Sequence, residues 1–190
     1  MRLCTGKSAA ILLAAIGANG GVHAQSDWDV VLNGRAIHVG ASHHWNEENW
    51  GFGVEREFDS ASRWVKVFVA NGFKDSLDKP SYMAGGGIKR RFHVHSDDFY
   101  LDFGVVGFLM TREDVKHNAP FPGLLPSMTV GGKRVAVNIT YLPETMVDYV
   151  TKANLIDPAL DGVFFIQLKL DARLFSFRGR RQMLAAAESQ

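Results

Sequence analysis

The chain has 190 residues and a formal net charge of +1, with 22% of its residues charged. That length supports one domain with a sizeable interior, and that charge excludes any global electrostatic argument for a nucleic-acid or acidic partner. Aromatics are frequent, with 13 Phe and 4 Trp, which suits a soluble domain or a lipid-facing surface.

The first segment, MRLCTGKSAAILLAAIGANGGVHAQ, carries Arg2 and Lys7, an apolar stretch from Ala9 to Ile16, and small residues ending in Val22-His23-Ala24. It reads as a secretory signal peptide (1–24), with cleavage expected after Ala24. The apolar run is too short for a transmembrane helix. The single cysteine, Cys4, lies inside this peptide, so the expected mature chain has no disulfide framework and no thiol nucleophile. No later segment offers about 20 consecutive apolar residues, so a membrane crossing has to be made by a closed β-barrel.

From residue 30 onward the dominant signal is period two. Eight strands are expected, at 30–39, 48–58, 62–75, 81–94, 98–112, 122–130, 133–143 and 161–172. In RWVKVFVANG, Val65, Val67 and Val69 alternate with Lys66, Phe68 and Ala70. In KRVAVNITYL, Val135, Val137, Ile139 and Tyr141 share one face, while Arg134, Ala136, Asn138 and Thr140 share the other. In GVFFIQLKL, Phe164, Ile166, Leu168 and Leu170 oppose Gln167 and Lys169. Such alternation places each strand between two different environments.

The connectors divide into short polar turns at 59–62, 95–98 and 130–133, and longer loops at 40–47, 113–123 and 143–162. Short turns at one end, long loops at the other, an even strand count and no helix-period stretch fit an outer-membrane barrel. The soluble alternative is a lipocalin-type barrel. A soluble barrel needs a polar exterior. Here Lys66, Asp102, Arg134, Asn138, Gln167 and Lys169 are assigned to the inner faces, and the opposite faces are nearly all apolar, which favours lipid outside. The expected architecture is an all-β, eight-stranded antiparallel transmembrane barrel over 25–172. It is followed by an Arg-rich periplasmic extension over 173–190, expected to be mobile.

Three stretches, FKDSLDKPSYMAGGG, FPGLLPSMTVGGKRVAVNITYLPE and GVFFIQLKL, resemble in order and spacing the lipid A palmitoyltransferase family (PagP). The resemblance runs with gaps over about 30–172. It implies an outer-membrane enzyme that moves an acyl chain, usually palmitoyl, from a glycerophospholipid donor to lipid A. It also implies a catalytic His at the outer end of the first strand and an Asp-Ser pair at the outer end of the third. On this chain the pair is Asp75 and Ser76. For the His, the segment RAIH matches best and selects His38, with His44 next and His43 also in the neighbourhood.

These residue types suit transesterification. A hydroxyl must lose its proton as it attacks an ester carbonyl, and neutral His is the usual base near pH 7. A nearby acid can orient the ring, and a Ser can bind an oxyanion, relay a proton or act as nucleophile. No GxSxG elbow supports a hydrolase-type serine independently. The glycines of MAGGGIKR lack the Walker spacing; by resemblance, Gly87 forms the floor of an acyl pocket. Also by resemblance, Pro126 and Pro143 flank a lateral lipid gate, since proline cannot donate to a ladder. Asn33 and Asn49 stand where the family has a second pair of prolines, and the family's N-terminal amphipathic helix is nearly absent.

The His, Asn and Glu residues of HHWNEE and HNAPF match no strong metal spacing, so no metal and no cofactor are expected. The expectation is a monomeric lipid A acyltransferase of the bacterial outer membrane, with no nucleic-acid partner. The alternative is a non-catalytic lipid-binding or structural barrel of the same ancestry.

Overall fold

A computed structural model describes residues 28–58, 62–94, 96–151 and 157–175. The signal-peptide reading and most of the C-terminal extension lie outside these residues. Eight strands occur where the sequence places them, with ends displaced by at most two residues: β1 Trp28–Val39, β2 Glu48–Phe58, β3 Trp64–Lys74, β4 Pro80–Val94, β5 Ser96–Thr111, β6 Phe121–Gly132, β7 Val135–Pro143 and β8 Gly162–Asp171. Each pairs antiparallel with its sequence neighbour, and β8 returns to pair with β1, closing the barrel.

The barrel is inside-out relative to a soluble domain. Among the described residues, buried polar and charged side chains outnumber buried apolar ones, while the exterior displays Trp50, Phe52, Tyr82, Leu109 and Leu124, with Phe52 at 75% exposure. Alternation in a closed sheet forces this division, because every second residue must face the lumen.

The lumen has two storeys. Toward the short-turn end, charges fill it. Lys89 Nζ lies 3.3 Å from Glu55 Oε1 and donates to Thr129 Oγ1 at 3.0 Å. Lys169 Nζ donates to Glu55 Oε1 at 2.9 Å, pairs with Asp29 at 3.2 Å and also bonds Glu57. Asn138 Nδ2 donates to Glu55 Oε2 at 3.1 Å, and Arg91 bridges Glu57 and Asp102. Every strand except β3 contributes a side chain to this layer, so it ties the barrel across its diameter. On the β3 side the lumen is apolar: Val65 and Val67 stand beside Lys89 and Glu57, and toward the long-loop end Val69 and Val106 pack with Met83 and Phe108.

Three expectations are corrected. Lys66 does not face the lumen; Val65, Val67 and Val69 are buried and Lys66 is exposed. The β3 alternation is as read, but its apolar face turns inward, because the charges of the layer are paired among the other seven strands and β3 fills the remaining space with Val side chains. Arg134 lies outside, in the turn before β7. A helix, α1 (Glu144–Thr151), occupies the last long connection; at eight residues it is too short for its periodicity to stand out from a loop.

The charge layer gives a stability prediction. Glu55 is 1% exposed and pairs with both Lys89 and Lys169; Lys169 keeps Asp29 and Glu57 as further partners, so Lys89 is the ammonium left uncompensated when Glu55 is removed. Removing one partner of a buried ion pair typically costs about 3–5 kcal/mol, because the remaining charge has no compensation. Glu55→Ala is expected to lower the unfolding free energy by about that amount, measured by urea titration of the barrel refolded into phospholipid vesicles.

Candidate active site

The site is assembled at the long-loop rim, and it begins with a register shift in β1. Up to Asn33 the odd-numbered residues Asp29, Val31 and Asn33 are buried. Against β8, the pairing passes from Asn33↔Gln167 to Arg35↔Ile166, so β1 carries one extra residue there, Gly34. A bulge of this kind reverses which residues face inward. Beyond it Ala36 is buried and Ile37 is exposed. His38, even-numbered, therefore points into the mouth of the lumen.

Across the mouth, β3 ends at Lys74 and the chain turns tightly. Asp75 N donates to Lys79 O at 2.8 Å, and the Asp75 carboxylate accepts from Leu77 N at 2.9 Å, Lys79 N at 3.0 Å and Ser81 Oγ at 3.0 Å. Arg112 stands 3.6 Å from it. Asp75 is 1% exposed and serves as the inner cap of this turn, which presents Ser76. His38 Nε2 and Ser76 Oγ are 3.0 Å apart. The Nδ1 atom of the ring has no hydrogen-bond partner among the described residues, so Asp75 does not orient the imidazole directly. The other two candidates stand apart from this pair: His43 packs edge-on against Trp45 at 4.9 Å between centroids, and His44 is exposed.

Below the pair lies a cavity of about 500 Å³, lined by His38, Ser76, Phe73, Val69, Val106, Phe108, Leu125 and Phe165, and reaching down to Glu55 and Lys89. Gly87 pairs with Val67 and Val106 between these levels. A Cβ at this glycine would stand 2.4 Å from the Val105 carbonyl oxygen and 2.9 Å from Val106 Cγ2. Any side chain there must displace β5 as well as narrow the lumen.

The prolines mark a break in the wall. The β6–β7 ladder ends at Ser127↔Thr140, although β6 runs back to Phe121 and β7 on to Pro143. Pro126 is the first β6 residue beyond the last rung. Leu124 and Leu125 beside the break, and Thr145 and Met146 of α1, also line the cavity. Asn33 and Asn49 make no comparable gap: Asn49 Nδ2 donates to Lys74 O at 2.7 Å, and Asn33 bonds Gln167.

Sequence reasoning missed Asp157. Its carboxylate accepts from Ser42 Oγ at 2.8 Å, His43 N at 2.9 Å, Ser42 N at 3.0 Å, Trp45 Nε1 at 3.1 Å and Ala159 N at 3.3 Å. These donors, His43 N–H foremost, hold its carboxyl well below the usual carboxylate range. Gly40 makes the approach possible: its φ of +74° is in the left-handed region, and a Cβ would lie 2.5 Å from Ala159 O. The only sequence signal was an acid before a proline in a long loop.

The class defined so far is a closed eight-stranded barrel with a His–Ser pair over an internal apolar pocket. A family model described as "Antimicrobial peptide resistance and lipid A acylation protein PagP" matches residues 24–153, and the chain belongs to that family. Relatives named "Lipid A acyltransferase PagP" come from Erwinia sp. (strain Ejp617), 32% identical over 103 residues, covering 53% of this chain and 55% of the relative. Others come from Dickeya zeae, 35% over 104 residues, covering 53% and 46%, and Bordetella pertussis (strain Tohama I), 30% over 122 residues, covering 60% and 66%. The chain spans about half the length of the first of these relatives.

A depressed carboxylate pKa stabilises the structure that holds it fully above its unfolded value, and that contribution is lost only as pH falls through the folded value. The Asp157 contacts are therefore complete at neutral pH and persist below about pH 4, where a free Asp side chain is half protonated. Amide hydrogen exchange at Ser42 and His43 is expected to stay protected down to that pH, and Asp157→Asn is expected to abolish the protection at neutral pH.

Proposed function

We propose that this protein is an outer-membrane acyltransferase that moves a palmitoyl chain from a glycerophospholipid to lipid A, acting as a monomer and without a cofactor. The observation that carries the reading is the 3.0 Å contact of His38 Nε2 with Ser76 Oγ at the mouth of a cavity whose upper wall is apolar. Family membership supports the same reaction class. The apolar exterior belt of Trp, Phe and Leu side chains supports a membrane setting.

In this reading the acyl chain descends into the lumen and its ester carbonyl rests at the rim beside His38 and Ser76. The acceptor hydroxyl attacks that carbonyl as the imidazole takes its proton. The bond from the carbonyl carbon to the glycerol oxygen breaks, and the imidazolium returns the proton to the departing alkoxide, leaving a lysophospholipid. Ser76 holds the ring and supplies a hydroxyl at the reacting carbon. Asp75 holds the turn that presents Ser76. Donor lipid enters sideways through the break between β6 and β7 beside Pro126 and Pro143, where no ladder hydrogen bond has to be broken. The bottom of the pocket is the Glu55–Lys89 layer, within reach because Gly87 has no side chain. Charges there stop an alkyl chain, since methylenes gain nothing by displacing an ion pair.

Mass spectrometry of lipid A from cells with and without the protein tests the reading: a gain of one palmitoyl chain is expected. His38→Ala and Ser76→Ala should each abolish the gain, with rates down about 100- to 10,000-fold, while heat-modifiable gel mobility shows the barrel folded. Transfer at the wild-type rate by His38→Ala would move the base to another residue.

A second measurement addresses depth. Gly87→Met should shorten the transferred chain, with a lowered melting temperature from the displacement of β5. Val106→Phe narrows the same level from the β5 side and needs no new Cβ beside a carbonyl. Each excluded methylene forfeits about 0.8 kcal/mol of burial, so both variants are expected to select shorter donors from a mixed-chain pool. An unchanged added mass in both would remove this level from the acyl path.

A further inference from the structure

We infer that Asp157 is a positioning residue of the His38–Ser76 site, holding the imidazole in its bonding position through Trp45; this rests on the reading of His38 as the base. The imidazole has one hydrogen bond, to Ser76 Oγ, and its Nδ1 is without a partner among the described residues. A ring held at one atom can still rotate about that contact. What limits it is the face of Trp45, stacked on His38 with centroids 5.6 Å apart and planes 14° from parallel. Trp45 lies in the connection between β1 and β2, where its own orientation has to be supplied from elsewhere. The indole N–H is donated to Asp157 Oδ2 at 3.1 Å, and the same carboxylate takes Ser42 and His43. The far end of the segment is fixed to the catalytic turn: Asn46 N donates to Ser76 O at 3.0 Å, and Asn46 Nδ2 to Asp75 O at 3.1 Å.

The segment 42–46 is thus suspended between two anchors, Asp157 on one side and the Asp75–Ser76 turn on the other, with Trp45 between them against the imidazole. The arrangement needs a carboxylate. Donors converge on both of its oxygens, so an amide at 157 would turn an N–H toward donors on one side and break the set. Asp157 lies in the last long connection, beyond residue 153 where the match of the family model ends.

The test compares wild type, Asp157→Asn, Trp45→Phe and His38→Ala in mixed micelles of phospholipid and lipid A. A positional error of about 1 Å in a catalytic group costs on the order of 100-fold. Asp157→Asn is expected to lower kcat 10- to 100-fold with KM within about twofold, and the Trp45 indole N–H should exchange faster with solvent. Trp45→Phe keeps an aromatic face but loses the bond to Asp157, and is expected to fall between wild type and Asp157→Asn. A wild-type kcat in Asp157→Asn, with His38→Ala inactive, overturns the positioning role and leaves His38 as the base. Wild-type activity in His38→Ala overturns the base reading itself. A loss in Asp157→Asn that is matched by a melting-temperature collapse, with KM and kcat worsening together, also overturns it, since general loosening moves both.

Discussion

The two-residue alternation of a closed β-barrel decides which side chains can ever meet, and the site exists because one strand breaks that alternation. Without the extra residue at Gly34, β1 would carry its odd-numbered residues inward to the rim. His38 would then share the outer face with Leu32, which is 39% exposed, and could not reach Ser76. The bulge costs local ladder regularity. In exchange it swaps the inward set below it, Asp29, Val31 and Asn33, for Ala36 and His38 above it. Deep in the barrel the odd residues serve the charge layer; at the rim the even residues serve the site. One inserted residue lets a single strand do both.

The charge layer and the cavity depend on each other in a similar way. Isolated buried ions are costly, so Glu55, Lys89 and Lys169 persist only because each finds several partners at once. Those partners come from strands on opposite sides of the lumen, which fixes the barrel's diameter there. Above the layer the lining is dominated by aromatic, Met, Val and Leu side chains and inward glycines, with a few polar side chains such as Asn49, Asn71 and Thr140 set among them. The break in the wall follows from the same economy: where β6 and β7 part beyond Ser127↔Thr140, proline at 126 has no N–H to leave unpaired.

Much of this was legible from residues alone, and the exceptions have physical causes. Period-two patterning located all eight strands, because a sheet exposed to different media on its two faces writes that difference into every second residue. It could not say which medium was which. In β3 the rule that polar means inside places Lys66 in the lumen, yet it faces outward, because the lumen charges find their partners on the other strands and β3 supplies Val65, Val67 and Val69 beside them. His38, Asp75 and Ser76 were reached through the family resemblance. Alternation counted straight through β1 gives no warning of the shift at Gly34. Asp157 was invisible for another reason: its donors at Ser42 and Trp45 lie more than 110 positions away, and a loop acid has no period to betray it. Helix α1 was hidden by its brevity.

The contacts that define the site are long-range. His38 and Ser76 are 38 positions apart, and Ser42 and Asp157 are 115. The first needs β1, β2 and β3 in register, which neighbouring hairpins can supply early. The second needs β8 paired with β1, the closing step of the barrel, since Asp161 N reaches Val39 O at 2.8 Å at the end of that seam. Loop closure over so many residues is paid for before any contact repays it. Registering β1, β2 and β3 is therefore enough to bring His38 to Ser76, whereas the anchor of Trp45 on Asp157 depends on the β1–β8 seam as well. The support of the imidazole through Trp45 is thus a property of the closed barrel and not of any one hairpin.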